Sequence, residues 1–492
     1  MLFNSFTYLL FLPIVVALHW LLPRAFRRGL LLLASYFFYM SWMPAYGLLI
    51  FGLTVANYFF ALAIAHFTSQ RKPILIAGLV FNLGSLCFFK YTNFLLNSLW
   101  LAAGWSHKAI HWPPDLVSTS PTLNIILPLG ISFFTFEFIH YIVDVYRGSK
   151  PLTNFWHFSL FAAFFPSQIA GPIKRFQDFN CQLHQKVDFS KEKFQQGLSL
   201  IFLGLFKKMV LSDNLGRVVG IGFAHPAQMG AIDAWVSAAG FTLQIFLDFS
   251  GYTDVGRGSA LLLGYKLPEN FNWPFLSANL NEFWRRWHIS LSPWLRDYLF
   301  IPLGGSRVSS WKVKRNLFIT MSLGGLWHGA AWHYVIWGIF HGTGLVLTKD
   351  WLDLVEKTPV LKRCQGHFLW HWSGVALTFL FVAYACILFR AQDLPQAGLI
   401  MQRMFQPALP GAVWQALLNS TLPVSGSIYA MFLWASRRRE LGKNEPDIRL
   451  VSWLSRWWQT SFCARATGYA CLALIILGFA PEDVAPFIYF QF

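Results

Sequence analysis

One stretch decides the fold class: NLFITMSLGGLWHGAAWHYVIWGIFHGTGLVLT, residues 316–348. It contains no Asp, Glu, Lys or Arg, and it exceeds the roughly 20 apolar residues needed to cross a bilayer. It is therefore long enough for two short helices or for one broken helix. His328 lies close to its centre, and an ionisable side chain at membrane depth indicates function because its burial is costly.

Three histidines occur in this stretch, His328, His333 and His341, and they have two interpretations. Imidazole has the one unperturbed pKa suited to proton transfer near neutral pH, so a histidine here could be a general base. Alternatively, all three are core histidines bonded to backbone carbonyls. No metal site is predicted, because His328 and His333 would lie about 140° apart on a helix and the glutamate of an HExxH motif is absent.

The chain contains no GxSxG, GxGxxG or P-loop motif. It therefore has no obvious covalent nucleophile and no phosphate-binding loop of its own. If it is an enzyme, the sequence favours direct transfer assisted by a general base.

Composition places the chain among polytopic membrane proteins. Of its 492 residues, 55% are hydrophobic and only 12% are charged, about half the share in soluble domains. Unremarkable Gly and Pro contents and six scattered cysteines exclude disordered and disulfide-rich classes. The net charge of +17 could indicate nucleic acid binding, but the basic residues form short clusters between apolar runs. That pattern is typical of the positive-inside rule, so no nucleic acid partner is predicted.

The distribution of apolar runs predicts an all-α protein with about eleven crossings and an N-terminus outside the cytoplasm, since Arg24, Arg27 and Arg28 follow the first run. Residues 29–70 are too long for one crossing, and a break is expected at 41–44. No stretch fits a soluble domain. The candidate spans are 1–23, two within 29–70, 73–89, 123–143, 194–211, 232–250, 316–348, 366–389, 412–436 and 466–480.

Two further segments are predicted not to cross the membrane. Residues 151–173 are uncharged but end in PSQIAGP, which indicates a re-entrant segment beside a cavity. Residues 281–301 interleave aromatic side chains with arginines at helical spacing, which predicts an interfacial helix. Its arginines either anchor the helix at the headgroups or bind phosphates of a donor.

The segment 241–257 carries two carboxylates, Asp248 and Asp254, next to an apolar run. Acidic groups at such depth need partners, and Ser250, Tyr252 and Arg257 are nearby in sequence. Helix capping and ion pairing are favoured over catalysis.

Four blocks together resemble the membrane-bound O-acyltransferases, and among them the bacterial alginate O-acetyltransferase branch. These blocks are FFPSQIAGPIKRF (164–176), FLDFSGYTD (246–254), NFNWPFLSANLNEFWRRWHISLSPWLRDYLFIPLGGSR (270–307) and RNLFITMSLGGLWHGAAWHYVIWGIFHG (315–342). The resemblance implies one membrane domain built around a central tunnel, with N-terminal helices (1–150), a motif-bearing core (151–348) and C-terminal helices (349–492).

The resemblance also implies the chemistry. His328 matches the family's catalytic base and His288 its second, supporting histidine, which returns His333 and His341 to packing roles. Acetyl-CoA is the implied donor, with no permanently bound cofactor. Lys174, Arg175, Arg285 and Arg286 border the motif blocks and could face its phosphates.

The implied setting is the bacterial inner membrane, with lipid around the helices. A periplasmic partner protein with a serine nucleophile would pass the acetyl group to an exported, alginate-like polysaccharide. Two alternatives stay open. One is transfer of D-alanine or another acyl group to a cell-wall polymer. The other is a transporter whose histidines relay protons, which is weakened by the lack of a repeat with matched broken helices.

Overall fold

The computed structural model describes residues 1–102, 123, 125–169, 171–440, 462–480 and 486–488. The described residues form helices and connecting loops, with a single antiparallel bridge between Phe271 and Trp287. The N-terminal helices are α1 (Phe6–Leu21), α2 (Arg24–Met40), α3 (Pro44–His66), α4 (Arg71–Ala102), α5 (Ile131–Tyr146), α6 (Phe155–Ala163), α7 (Phe165–Gln168), α8 (Phe176–His184), α9 (Lys191–Leu205), α10 (Asp213–Ala224) and α11 (Ala231–Leu262).

The C-terminal helices continue the same numbering. They are α12 (Leu280–Arg286), α13 (Leu291–Leu295), α14 (Ser310–His328), α15 (Trp332–Lys357), α16 (Pro359–Cys364), α17 (Phe368–Arg390), α18 (Leu394–Arg403), α19 (Ala412–Asn419), α20 (Leu422–Glu440) and α21 (Phe462–Phe479). Short π-helical segments, 206–212 and 296–300, follow α9 and α13.

Several helices are long and apolar enough to cross a membrane. Within the described ranges, three meet this criterion by length and composition: Pro44–His66, Thr68–Trp100 and Phe368–Arg390. Phe6–Leu21 and Ala466–Phe479 are shorter apolar helices. Large apolar side chains on these helices are exposed, among them Leu48 and Leu377. Exposed apolar faces of this kind are stable where lipid covers them.

The break predicted at 41–44 is confirmed. Helix α2 ends at Met40, and α3 begins at Pro44, where proline needs no intrahelical donor. The predicted interruption of 151–173 is also present: α6 ends at Ala163, and α7 is a separate helix of four residues, Phe165–Gln168. Residues 158–169 are buried throughout, so this irregular segment lies inside the protein.

Several boundaries differ from the sequence prediction. The candidate span 412–436 is interrupted, since α19 ends at Asn419 and α20 begins at Leu422, and the helix within 123–143 begins only at Ile131. The candidate span 73–89 ends before Lys90, but α4 continues through that lysine to Ala102. The interfacial segment 281–301 was predicted as one helix, and that prediction is wrong. It divides into α12 and α13 because the backbone at His288 adopts a positive φ of 47°, which a continuing helix excludes.

The backbones of helices α9 and α11 pack closely at glycines, where no side chain would fit. A Cβ on Gly204 would lie 2.5 Å from the carbonyl oxygen of Gly251, and one on Gly197 would lie 2.8 Å from that of Gly258. Small residues at such crossings let membrane helices associate through close van der Waals contact. Helix α11, which carries the block 246–254, is therefore held against α9 along much of its length.

Asp248 and Asp254 of α11 form ion pairs, as predicted. Lys207 Nζ lies 2.6 Å from an oxygen of Asp254, and Lys208 Nζ lies 2.7 Å from Asp248 and 2.8 Å from Asp213. All of these side chains are buried, where an unpaired charge would be strongly destabilising. Arg257, which the sequence analysis named as a nearby partner, also contacts Asp254 at 3.6 Å. The closer lysine partners come from the π-helical segment 206–212, which the sequence prediction did not identify.

Candidate active site

His328 is the last residue of α14 and lies at a reversal of the chain. Residues 329–331 are not helical, and α15 then runs back along α14. The two backbones touch where Gly325 faces Gly338, since a Cβ on Gly325 would lie 2.6 Å from the Gly338 Cα. Gly325 therefore allows the close packing of these two helices.

Aromatic rings surround the His328 imidazole, whose residue is only 7% exposed. Its ring centroid lies 4.7 Å from that of Trp327 and 5.0 Å from that of Trp337, which meets it edge-on. Phe389 of α17 packs at 5.1 Å. The indole nitrogens of Trp327 and Trp337 are buried and have no hydrogen-bond acceptor in the described part of the chain.

A lysine from a distant part of the sequence supports the same helix end. Lys90 Nζ donates to the carbonyl oxygens of Trp327 at 2.6 Å and of His328 at 2.8 Å. The hydroxyl of Tyr91 donates to the carbonyl of Leu326 at 2.7 Å. The last carbonyls of a helix have no intrahelical partner, so α4 supplies the missing donors to α14.

His288 lies in the bend between α12 and α13, in the left-handed region that non-glycine residues rarely adopt. It is 1% exposed, and its ring packs against Phe249 at a centroid distance of 4.8 Å. Neither ring nitrogen has a hydrogen-bond partner within the described ranges. A buried histidine with a strained backbone and no hydrogen-bond partner lowers the stability of the fold. Its presence therefore favours a functional role over a packing role.

Asn270 holds the bend in place and joins three of the motif blocks. Its carbonyl accepts from Ile289 N at 2.8 Å, and its Oδ1 accepts from the Ser290 hydroxyl at 2.7 Å. Its side-chain amide lies 3.4 Å from the Thr253 hydroxyl. Ser290 Oγ in turn accepts from Ile173 N at 3.0 Å. The blocks at 164–176, 246–254 and 270–307 therefore meet at one hydrogen-bond network.

The structure brings the two predicted site histidines together through one tryptophan. The Trp327 ring lies 4.7 Å from the His328 ring and 6.4 Å from the His288 ring, measured between centroids. His341, which the sequence assigned to packing, belongs to the same aromatic cluster because its ring lies 4.5 Å from that of Trp337. The His333 ring lies farther from His328: it packs on Tyr334 at a centroid distance of 4.1 Å, and its Nδ1 bonds the Leu388 carbonyl at 2.9 Å.

The four predicted donor-binding cations occupy different environments. Lys174 forms a buried ion pair with Glu137 at 2.7 Å. Arg175 pairs with Asp297 at 2.8 Å, and Arg286 with Glu282 at 2.5 Å. Arg285 is exposed instead.

Arg285 lines a cavity of about 580 Å³ between α12 and the halves of α14 and α15 remote from His328. Arg296 and Lys349 add further positive charge, and Asp353 adds one negative charge. The cavity also reaches Trp284, whose ring contacts His341 at a centroid distance of 5.3 Å. A basic cavity thus ends against the aromatic cluster that contains His328.

The C-terminal residues Pro486–Ile488 also reach the core. Ile488 N donates to Asp248 at 2.6 Å, and Lys208 Nζ donates to the Pro486 carbonyl at 3.2 Å. The Phe487 ring packs 5.6 Å from Phe249, which is the ring that contacts His288. This contact between chain end and site was not predicted, because nothing in the local pattern of 486–488 specifies its partner.

Comparison with known proteins identifies the class. The sequence model of the membrane-bound O-acyltransferase family matches residues 146–390. The "Probable alginate O-acetylase AlgI" of Pseudomonas syringae pv. tomato is 34% identical over 541 residues, covering 100% of both chains. The AlgI of Pseudomonas aeruginosa is 41% identical over 84% of this chain and 76% of its own. A "Peptidoglycan O-acetyltransferase" of Helicobacter pylori is 36% identical over 77% and 74%.

The chain therefore belongs to the membrane-bound O-acyltransferase family. It is a membrane-bound acyltransferase, and its His288 and His328 both lie within the matched residues.

Proposed function

We propose that the protein moves an acetyl group from cytoplasmic acetyl-CoA across the bacterial inner membrane, for O-acetylation of an exported, alginate-like polysaccharide. The similar AlgI proteins and the peptidoglycan enzyme support an acetyl cargo and a polysaccharide acceptor. The observation that carries the proposal is the convergence of His328 and His288 on the Trp327 ring, next to an aromatic cluster that a basic cavity reaches.

In the proposed reaction, His328 is the general base. Its neutral imidazole takes the proton of the acceptor hydroxyl, whose oxygen attacks the thioester carbonyl carbon. The tetrahedral intermediate collapses with cleavage of the C–S bond, and the imidazolium returns its proton to the departing CoA thiolate. Proton transfer by a positioned base is typically worth about 10²- to 10⁴-fold in rate.

The developing oxyanion of that intermediate needs hydrogen-bond donors. The indole N–H groups of Trp327 and Trp337 flank His328, and both are buried without acceptors among the described residues. Donors already desolvated and held by packing stabilise a transition-state charge without reorganisation. We assign His288 a supporting role on the far side of Trp327.

On the donor side, Arg285 is the best placed of the four predicted cations. Its guanidinium lines the basic cavity, where it could pair with a CoA phosphate. Arg175, Arg286 and Lys174 already hold carboxylates, so we assign them to holding the site together.

The remaining parts of the proposal concern topology and partners. The basic cluster at the start of α14 faces the cytoplasm under the positive-inside rule, which puts His328 toward the opposite end of that helix. We propose about eleven transmembrane crossings around a tunnel, through which the acetyl group would pass the membrane. A periplasmic partner with a serine nucleophile would receive the acetyl group there.

The experiment that tests this function compares two histidine variants in cells lacking the native gene. His328→Ala should abolish O-acetylation of the exopolysaccharide at an unchanged membrane level of the protein. His333→Ala is the matched control, because His333 is equally buried but bonds a backbone carbonyl outside the cluster. Full acetylation in the His328→Ala strain would show that His328 is not the general base.

Mass spectrometry of exopolysaccharide and wall polymers from the same strains identifies the acyl group. If the variant strain loses D-alanine esters and keeps acetyl esters, the transferred group is D-alanine and not acetyl. In proteoliposomes, a transporter would move substrate without consuming acetyl-CoA, whereas the proposed enzyme releases free CoA only when an acceptor or partner is present.

A further inference from the structure

We propose that Lys90 is a positioning residue for the acyl-transfer reaction, because its ammonium group holds the end of the helix that carries His328. The inference rests on the proposed role of His328 as the base. It concerns a residue in α4, remote in sequence from all four motif blocks.

The geometry is that of a helix cap supplied by another helix. Helix α14 ends at His328, and the next residue, Gly329, is extended. Lys90 Nζ donates to the carbonyls of the last two helical residues, Trp327 and His328, at 2.6 and 2.8 Å. A cation at this position also complements the partial negative charge at a helix C-terminus.

A lysine inside a membrane-spanning helix needs a reason to be there. Lys90 lies within the apolar helix Thr68–Trp100, where a charged residue is costly. Among the described residues, no carboxylate lies within 4 Å of its Nζ, so no ion pair offsets that cost. Its hydrogen bonds instead go to the carbonyls of Trp327 and His328, and these bonds are the interaction that explains a lysine at this depth.

Tyr91 strengthens the same attachment from the next position of α4. Its hydroxyl donates to the Leu326 carbonyl, so three consecutive carbonyls of α14 are bound by two consecutive side chains. The Lys90 ammonium also lies 6.0 Å from the centre of the Trp327 ring, which separates the two site histidines. Helix α4 therefore fixes the position of both His328 and Trp327.

Fixing a base matters because transfer rates depend on its placement. A displacement of about 1 Å at a reacting centre can cost about 10²-fold in rate even when all reacting groups are present. Removing the Lys90 cation leaves two carbonyls unbound and frees the helix end to move. We expect slower transfer from a folded protein that still contains His328.

The test uses the full-length protein in cells lacking the native gene, with pulse-labelled acetate incorporation into exopolysaccharide measured per molecule in the membrane. Lys90→Met keeps the length and loses the charge, and its initial rate should fall about 10- to 100-fold. Lys90→Arg keeps a cation with several donors and should recover about half the wild-type rate. Lys72→Met, on the exposed cytoplasmic end of the same helix, is the matched control and should leave the rate unchanged.

Thermal unfolding of the detergent-solubilised variants separates positioning from folding. Lys90→Met at the wild-type rate, or Lys90→Arg as slow as Lys90→Met at equal stability, would overturn the inference. If Lys90→Met does not accumulate, Tyr91→Phe takes its place: it keeps the ring, loses one bond to α14 and should slow transfer about 2- to 5-fold. An unchanged rate in that variant also overturns the inference.

The His328→Ala strain distinguishes this inference from the proposed function. If that strain still acetylates, the function assigned to His328 fails, whatever Lys90 does. If it does not, and Lys90→Met is fully active, only the role of Lys90 fails.

Discussion

The two histidines of the site are held by opposite means. His328 ends a regular helix whose position is set by backbone contact with α15 and by the side chains of Lys90 and Tyr91. His288 lies in an irregular bend with a strained backbone, held by the side chain of Asn270. The comparison teaches that a helix end positions a residue through the whole helix, whereas a bend depends on a few local hydrogen bonds.

The largest expected effect separates the roles of the two rings. His328→Ala should reduce acetyl transfer by about 10²- to 10⁴-fold, because it removes the base. His288→Ala should reduce it by about tenfold, because the Trp327 ring lies between the His288 ring and the proposed base. Initial rates of CoA release, with both proteins at equal concentration in proteoliposomes, check the order. Equal losses would show that both histidines act on the reacting atoms.

The helix-packing side of the comparison is tested at Gly325. Gly325→Ala places a methyl group 2.4 Å from the Tyr334 carbonyl oxygen, so α14 and α15 must separate and His328 must move. We expect about a 10- to 100-fold loss of transfer rate. Gly324→Ala is the matched control, since its methyl group would meet only a Leu295 side-chain atom at 3.8 Å. A Gly325→Ala enzyme as active as Gly324→Ala would contradict this account of the hairpin.

The bend side of the comparison is tested by the backbone at His288. His288→Gly and His288→Ala both lack the imidazole, but only glycine adopts φ of 47° without cost. The glycine variant should therefore be more stable to unfolding by about 1 kcal/mol, which thermal denaturation in detergent measures. An alanine variant of equal or higher stability would mean that the bend does not keep its left-handed backbone.

The smallest expected effect concerns the two adjacent arginines. Arg285→Ala should raise the KM for acetyl-CoA a few-fold with little change in kcat, since Arg285 lines the basic cavity. Arg286→Ala removes the partner of Glu282 and should instead reduce thermal stability slightly, because that pair is only partly buried. Donor titrations at two salt concentrations distinguish them. If the two variants respond alike, Arg285 has no special contact with the donor.

Local sequence patterns predicted the parts of the fold that depend on nearest neighbours. The break before Pro44, the interruption of 151–173 and the helical character of the chain all follow from proline, glycine and apolar run length. The prediction that Asp248 and Asp254 form ion pairs was also confirmed, because a charge inside the protein needs a partner. Arg257, one of these partners, is close in sequence, whereas Lys207 and Lys208 are not.

Patterns failed where a distant partner changes the local preference. The spacing of aromatic residues in 281–301 predicted one helix, but Asn270 provides alternative hydrogen bonds that stabilise a bend at His288. The span 73–89 was predicted to end before Lys90 because that residue is charged. Carbonyls of α14 accept hydrogen bonds from Lys90, however, and the helix continues through it. Neither partner can be identified from the residues beside the affected position.

The sequence by itself determined that this is a helical membrane protein, that it resembles the acyltransferase family, and that His328 and His288 are its candidate site residues. Only the tertiary structure decided that Trp327 joins these histidines, that Arg285 lines the basic cavity, and that Lys90 holds the helix end. The reason is physical: composition and periodicity report how a segment interacts with lipid and with itself. The geometry of a site instead depends on contacts between segments up to 278 residues apart.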